Sequence, residues 1–163
     1  MDVLAARVGG LLKAHGLMLA TAESCTGGGV AQSITDVAGS SAWFERGFIT
    51  YSNLAKQQML GVSETTLVRH GIVSEAVVRE MVAGALANSA AQVALAVSGI
   101  AGPGGGTPDK PVGTVWFAWG IKNTAAHVQR LQISGNRAEV RARAVHSALQ
   151  GIIELLEQRT EIA

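Results

Sequence analysis

The sequence has 163 residues, of which 48% are hydrophobic and 15% charged, so it fits one domain and excludes an intrinsically disordered chain. Thirteen Lys and Arg residues against twelve Asp and Glu residues leave a net charge of +1, far from the concentrated basic field that nonspecific nucleic-acid binding needs. The single cysteine excludes an internal disulfide. We expect residues 1–163 to form one domain that does not bind nucleic acid.

The first forty residues predict a helix, a strand and the start of a second helix. Apolar residues recur at helical intervals over residues 3–12, and this helix is expected to end near Gly16. Residues 17–22 are typical of a short buried strand. After a glycine-rich turn, the next helix is expected to begin at about Val30.

The middle of the chain predicts a second strand followed by two helices. Residues 48–51 are the strand candidate, and Asn53 is the expected N-cap of the helix that carries Lys56. Ser74 is expected to cap the next helix, with acidic Glu75 at its positive end.

The last seventy residues predict three strands and a long helix. Residues 92–98 form a continuous apolar run of the kind found inside a covered parallel sheet. Residues 113–120 and 126–133 are expected to be neighbouring strands. Asn136, with a glutamate three positions later, predicts a capping box that opens a helix running to about Leu156. The alternation of helices and strands indicates an α/β layered domain around a mixed sheet.

The turn at residues 23–29 carries the richest chemical signal, because it joins a buried strand to a helix. The N–H groups of Thr26, Gly27 and Gly28 are expected to point into one concavity at the helix N-terminus, where anions are attracted. Ser24, placed just before those donors, would attack a carbonyl while the N–H groups stabilise the oxyanion. The Gly-x-Ser-x-Gly pattern of strand–turn–helix hydrolases is absent.

Two alternatives remain open for this turn. Glu23, Ser24 and Thr26 are residue types that cap helices, and the residues alone do not decide between capping and chemistry. Cys25 is a rival nucleophile, although a lone small cysteine beside a turn is more often a packing residue.

A second glycine-rich turn follows the strand at residues 92–98. Five glycines between Gly99 and Gly106 allow close backbone approach to a phosphate or ribose, and the alternative is a flexible surface loop. Two such turns after two central strands favour a ligand crevice at the carboxyl edge of the sheet.

A nucleophilic serine needs a base, and the histidines offer none. They do not cluster, and the expected places are a helix end, a loop, a strand and a helix for His15, His70, His127 and His146. A buried lysine can serve instead, because desolvation disfavours its ammonium form. Lys56 follows the strand that contains Tyr51, the only tyrosine, but an exposed helix lysine is the interpretation that the residues alone favour.

Other enzyme classes find no support. The sequence lacks Gly-x-Gly-x-x-Gly, a Gly-Lys pair and Ser-x-x-Lys, which argues against dehydrogenases, P-loop proteins and β-lactamases. Neither His-Glu-x-x-His nor a cluster of carboxylates is present, so we expect no metal, and a metal-dependent phosphatase or pyrophosphatase is the weakest alternative.

The chain nevertheless resembles a known family over almost its whole length, the CinA C-terminal domain family and specifically its stand-alone nicotinamide-nucleotide amidohydrolases (NMN deamidases). The matching strings are residues 21–28, 38–41, 48–56, 71–75, 98–103 and 110–115. The resemblance implies a three-layer αβα sandwich around a mixed, largely parallel sheet, and a homodimer. It also implies hydrolysis of nicotinamide mononucleotide to nicotinic acid mononucleotide and ammonia, without a cofactor, in pyridine-nucleotide salvage.

Carried onto this sequence, the resemblance makes Ser24 the nucleophile, Lys56 the general base and Tyr51 a helper that hydrogen-bonds within the pair. For the nucleotide, the candidates are the Ser98 hydroxyl, the glycine turn with Gly99 and Gly102, and Arg137 near the start of the last helix.

Two further arginines and the cellular setting complete the expectations. Arg141 lies one turn beyond Arg137, and a solvated helix surface is the favoured interpretation for Arg141 and Arg143. Nothing resembles a secretion signal, and the apolar run at residues 93–97 is far too short to span a membrane, so a cytoplasmic protein is expected. The competing hypothesis is a non-catalytic nucleotide-binding module that regulates competence or DNA repair.

Overall fold

The computed structural model describes the backbone of residues 2–162 and the side chains of residues 3–159, so Met1 and Ala163 lie outside it. Within that range the five strands are β1 (Leu19–Glu23), β2 (Phe44–Ile49), β3 (Val93–Gly99), β4 (Thr114–Ile121) and β5 (His127–Gln132). The six α-helices are α1 (Asp2–Ala14), α2 (Gly29–Thr35), α3 (Asn53–Leu60), α4 (Glu64–His70), α5 (Glu75–Ala87) and α6 (Arg137–Ile162). A 3₁₀ turn at Ser40–Ala42 precedes β2.

The strands form one mixed sheet in the order β2-β1-β3-β4-β5. β1 is parallel to both of its neighbours, β2 and β3. β4 is antiparallel to β3, and β5 is antiparallel to β4. Four strands therefore run in one direction and only β4 opposes them, so the carboxyl ends of β1, β2 and β3 meet at one edge.

Helices cover both faces of the sheet, which confirms the three-layer α/β sandwich. On β1, Leu19 packs into a core with α1, α2 and α6, whereas Ala20 and Ala22 pack against α3, α4 and α5. Side chains of a strand alternate between its two faces, so a short apolar strand serves both cores.

α6 lies close against β4 because a glycine leaves room for an aromatic ring. A Cβ atom on Gly151 would fall 2.0 Å from the Trp119 ring. The indole N–H of Trp119 donates a 2.8 Å hydrogen bond to the Ala148 carbonyl of α6. This contact fixes the long helix on the sheet and thereby the position of its first turns.

Several predicted boundaries are confirmed. Ser74 caps α5 by accepting a 3.3 Å hydrogen bond from the Val77 N–H. At the start of α6, the Asn136 N–H donates to Glu139 and the Glu139 N–H donates to Asn136, which is the expected capping box.

Other boundary predictions are wrong. The second strand spans Phe44–Ile49 instead of residues 48–51. Ser52, not Asn53, accepts the capping hydrogen bond of α3 from the Ala55 N–H. His70, expected in a loop, is instead the last residue of the helix α4. α6 extends beyond Leu156 to Ile162.

Candidate active site

The turn after β1 is held to both neighbouring strands. The Ser24 N–H donates a 3.0 Å hydrogen bond to the Val97 carbonyl of β3. On the other side, the Thr50 N–H donates a 2.8 Å hydrogen bond to the Glu23 carbonyl. These two hydrogen bonds place Ser24 at the edge of the sheet, where only 7% of its surface is exposed.

Lys56 reaches this serine from the first turn of α3. Helical side chains lean toward the helix N-terminus, and here that direction leads to the carboxyl edge of the sheet. The Lys56 Nζ lies 3.0 Å from Ser24 Oγ and donates a 2.8 Å hydrogen bond to the Thr50 carbonyl. At 1% exposure, Lys56 is buried, and the interpretation as an exposed helix lysine is wrong.

Burial lowers the pKa of Lys56 to about 8, because desolvation destabilises the ammonium form. A fraction of the amine is then neutral near neutral pH, and a neutral amine 3.0 Å from a hydroxyl can accept its proton.

The pKa of Cys25 shifts in the opposite direction. Burial raises the pKa of its thiol to about 11, even though the positive charges of Lys56 and Arg141 act in the other direction. Since the thiolate is the nucleophilic form, this environment disfavours Cys25 as the nucleophile.

Glu23 fixes the far side of the turn and caps α2. Its carboxylate accepts hydrogen bonds from the Thr26 hydroxyl at 2.5 Å, from the Val30 N–H at 2.9 Å and from the Ala31 N–H at 3.1 Å. The Glu23 side chain is almost completely buried. Capping is thus confirmed for Glu23, while Ser24 points to Lys56 instead.

The backbone donors of the turn are only partly free. The Gly27 N–H donates a 3.0 Å hydrogen bond to the Ser24 carbonyl, so the expectation that it points into an open concavity is wrong. The N–H groups of Thr26 and Gly28 have no acceptor within residues 2–162. Gly27 and Gly28 adopt φ values of 57° and 100°, which only glycine adopts readily.

A cleft of about 300 Å³ opens between this turn and the loop after β3. Its lining includes Ser24, Cys25, Tyr51, Ile72, Val73, Gly99, Gly102 and Arg137. Thr26, Gly27, Gly28 and Ser98 are not among its lining residues. The Ser98 hydroxyl, which is buried, donates a 3.1 Å hydrogen bond to the Ile72 carbonyl, so a contact with substrate would require that bond to break.

Tyr51 stands at the rim of the cleft with 63% of its surface exposed. Its hydroxyl accepts a 3.1 Å hydrogen bond from Arg137 Nη2, and the expectation that it bonds within the Ser24–Lys56 pair is wrong. Arg137 Nη1 also donates a 2.8 Å hydrogen bond to the Gly102 carbonyl. Arg137 therefore links α6 to both the tyrosine and the glycine loop.

The next arginine on the same face of α6 contacts the serine turn. Arg141 Nε lies 3.1 Å from the Cys25 carbonyl oxygen, and Arg141 Nη2 lies 3.3 Å from that of Thr26. The interpretation of Arg141 as a solvated surface residue is wrong, although its spacing of four from Arg137 was a signal for it. Arg143 is exposed, as expected, and donates to the Ser134 carbonyl.

Among the described residues, no group of three or more His, Cys, Asp or Glu side chains could hold a metal ion. Over the same residues, no helix combines the length and the apolar character needed to cross a membrane.

Known proteins are similar to this chain in sequence and in fold. The sequence model of the CinA C-terminal domain family matches residues 1–156 of this chain. A relative from Escherichia coli K12, named nicotinamide-nucleotide amidohydrolase PncC, is 55% identical over 96% of this chain and 95% of its own length. Its namesake from Pseudomonas putida is 52% identical over 95% of this chain and 96% of its own. The crystal structure of competence/damage inducible protein CihA from Agrobacterium tumefaciens has a TM-score of 0.92 at 45% identity, covering 94% of each chain.

Proposed function

We propose, since this chain belongs to the CinA C-terminal domain family, that it is an amidase that hydrolyses nicotinamide mononucleotide to nicotinic acid mononucleotide and ammonia. The names of relatives more than 50% identical over nearly their full length support this substrate. The observation that carries the proposal is the buried Lys56 amine 3.0 Å from the Ser24 hydroxyl.

In the first half of the reaction, Ser24 Oγ attacks the carboxamide carbon while Lys56 Nζ accepts the hydroxyl proton. The carbonyl oxygen becomes an oxyanion, which the N–H groups of the turn that lack an acceptor among the described residues would stabilise. Of the turn, Ser24 and Cys25 line the cleft, and the Thr26 N–H follows directly. Lys56 then gives the proton to the amide nitrogen, the C–N bond breaks, and ammonia leaves an ester on Ser24.

In the second half, water attacks the ester carbon and gives its proton to the same amine. The bond to Ser24 Oγ breaks, Lys56 returns the proton to that oxygen, and the carboxylic acid product is released. Serine–lysine pairs are a recognised variant of the triad logic. The pyridinium ring withdraws electrons from its carboxamide, so this route needs neither metal nor cofactor.

The rest of the cleft would bind the nucleotide. Backbone of the glycine loop at Gly99 and Gly102 would approach the ribose, and Arg137 offers positive charge to the phosphate. Tyr51 holds the Arg137 guanidinium and would act on binding through it. Ser98 would act indirectly, by fixing the Ile72 carbonyl at the cleft wall.

The proposal also includes the cellular setting implied by the resemblance. The protein would work in pyridine-nucleotide salvage as a cytoplasmic homodimer, with a small-molecule nucleotide as its partner. Size-exclusion chromatography with light scattering tests the dimer, since a monomer at micromolar concentration would contradict it.

The experiment that tests the activity measures ammonia and nicotinic acid mononucleotide from purified protein, with EDTA present. We expect equal amounts of both products, with turnover unaffected by the chelator. Calorimetry that detects nucleotide binding while chromatography detects no product would favour the non-catalytic module instead.

A further inference from the structure

We propose that Arg141 is a positioning residue that holds the peptide groups of the serine turn in the orientation that catalysis requires. The proposal rests on the proposed amidase function and adds to it a residue 116 positions away from Cys25 in the sequence. Arg141 does not line the cleft, so it would act through the turn and not by touching substrate.

The argument begins with the two carbonyl groups that Arg141 binds. In a planar trans peptide the C=O and the following N–H point in opposite directions. Holding the Cys25 carbonyl toward α6 at 3.1 Å therefore turns the Thr26 N–H away from α6. That N–H is one of the donors of the turn for which the described residues offer no oxygen acceptor.

The second carbonyl fixes the next peptide group. Arg141 Nη2 and the Gly29 N–H both lie within hydrogen-bond distance of the Thr26 carbonyl oxygen, at 3.3 Å and 3.0 Å. The Gly27 N–H of the same peptide unit then donates back to the Ser24 carbonyl. One guanidinium thus contacts two neighbouring peptide groups, of which the second is also held by backbone hydrogen bonds.

Among the described residues, Arg141 is the only hydrogen-bond donor to the Cys25 carbonyl. Glu23 binds the Thr26 hydroxyl and two N–H groups of α2, but it contacts neither of the two carbonyl groups. A Cβ atom on Gly27 would lie 3.3 Å from Arg141 Nη2, so the glycine lets the guanidinium approach the backbone closely.

An arginine suits this role better than a lysine. The planar guanidinium presents several N–H donors in a fixed fork, and two of them here address two oxygens on adjacent residues. A lysine ammonium would keep the charge but would not impose the same geometry. Misplacing an oxyanion donor lowers turnover steeply, because these donors act mainly on the transition state.

The test compares Arg141→Met and Arg141→Lys with Arg143→Met, which removes an exposed arginine of the same helix. With nicotinamide mononucleotide, we expect Arg141→Met to lower kcat by about 10- to 100-fold with KM within about threefold of wild type. Arg141→Lys should recover only part of kcat, and Arg143→Met should match wild type. A further variant, Arg141→Ala, should be partly rescued by added guanidinium ion.

A second readout does not depend on the nucleotide. A fluorophosphonate probe reacts with the Ser24 hydroxyl: the Oγ–P bond forms, the P–F bond breaks, Lys56 takes the proton and fluoride leaves. We expect Arg141→Met to slow this labelling at least about tenfold while circular dichroism shows a folded protein.

The outcomes separate the two proposals. A wild-type protein that releases no ammonia but labels in an Arg141-dependent way would overturn the proposed substrate and support the positioning role. An Arg141→Met variant with kcat and labelling rate within twofold of wild type would overturn the positioning role alone. A raised KM at unchanged kcat would also overturn it, since that pattern belongs to a substrate-binding residue.

Discussion

Two glycine-rich segments border the cleft, and they are built in opposite ways. In the turn after β1, Glu23, Arg141 and backbone of β3 all bind residues 23–28. In the loop after β3, residues 103–106 are exposed and make no hydrogen bond to the described part of the chain. Similar composition thus produces one segment held by many hydrogen bonds and one segment held by few. In the proposed amidase, the first would supply the chemistry, which needs fixed atoms, and the second would contact the substrate.

The largest effect should come from removing the nucleophile of the fixed turn. We expect Ser24→Ala to lower kcat by about 10⁴-fold or more, because no acyl-enzyme can form. Cys25→Ala should keep most of the activity, since the pKa of about 11 leaves little thiolate. Steady-state ammonia release measures both variants, and the reverse result would assign the reaction to Cys25.

Replacing the base should have the next largest effect and should change the pH dependence. With the pKa of Lys56 at about 8, the neutral amine grows as pH rises, so wild-type kcat/KM should increase tenfold per pH unit below 8 and level off above it. Lys56→Met should lower kcat about 10³-fold, and its kcat/KM should no longer rise with pH. A wild-type profile that is flat between pH 6 and pH 9 would contradict the role of Lys56.

The same lysine should make the free energy of unfolding depend on pH. Between the folded pKa of about 8 and the ordinary value of 10.5, the unfolded state binds a proton that the folded state does not, so stability rises with pH. Between pH 7.5 and pH 10 the expected rise is about 2 kcal/mol for wild type relative to Lys56→Met. Urea titrations at pH 7.5 and 10 measure it, and parallel changes in both proteins would contradict the buried amine.

A pair of glycine variants should separate the two segments directly. Gly27→Ala puts a side chain at φ 57° and 3.3 Å from Arg141 Nη2, and we expect a loss of about 1–2 kcal/mol in stability and about tenfold in kcat. Gly104→Ala has no atom within 4 Å of the new Cβ and should change stability by less than about 0.5 kcal/mol. Equal effects in the two segments, measured by thermal unfolding and kinetics, would remove the distinction between them.

The smallest effect is expected at Tyr51, which stands at the rim of the cleft. Tyr51→Phe removes the hydrogen bond with Arg137, and we expect KM to rise about threefold while kcat stays within about twofold. A large loss of kcat at unchanged KM would instead place the Tyr51 hydroxyl in the proton transfer of the Ser24–Lys56 pair.

The sequence predicts the fold best where one element is apolar throughout. β3, an uninterrupted apolar run, is located within a residue at each end. α4 has only Leu67 buried, so no periodic pattern marks it as a helix. β2 is an edge strand with exposed Arg46 and Gly47, and its alternation is correspondingly weak.

In the candidate site, the sequence identifies some of the residues but not the contacts between them. Ser24 and Lys56 were identified by chemical type and by resemblance, but their contact spans 32 residues and depends on the pairing of β1 with β2. The partners of Tyr51 and Arg141 depend on where α6 crosses the sheet edge, and no local pattern encodes that crossing.

The carboxylate of Glu23 at the start of α2 has a consequence for the end of the catalytic cycle. The proposed reaction turns a neutral amide into an anion beside a helix N-terminus, a place that would ordinarily retain it. The N–H groups of Val30 and Ala31 are already bound to the Glu23 carboxylate. These two donors are therefore withheld from the acid that the proposed reaction would form, and the first turn of α2 adds nothing that would retain it.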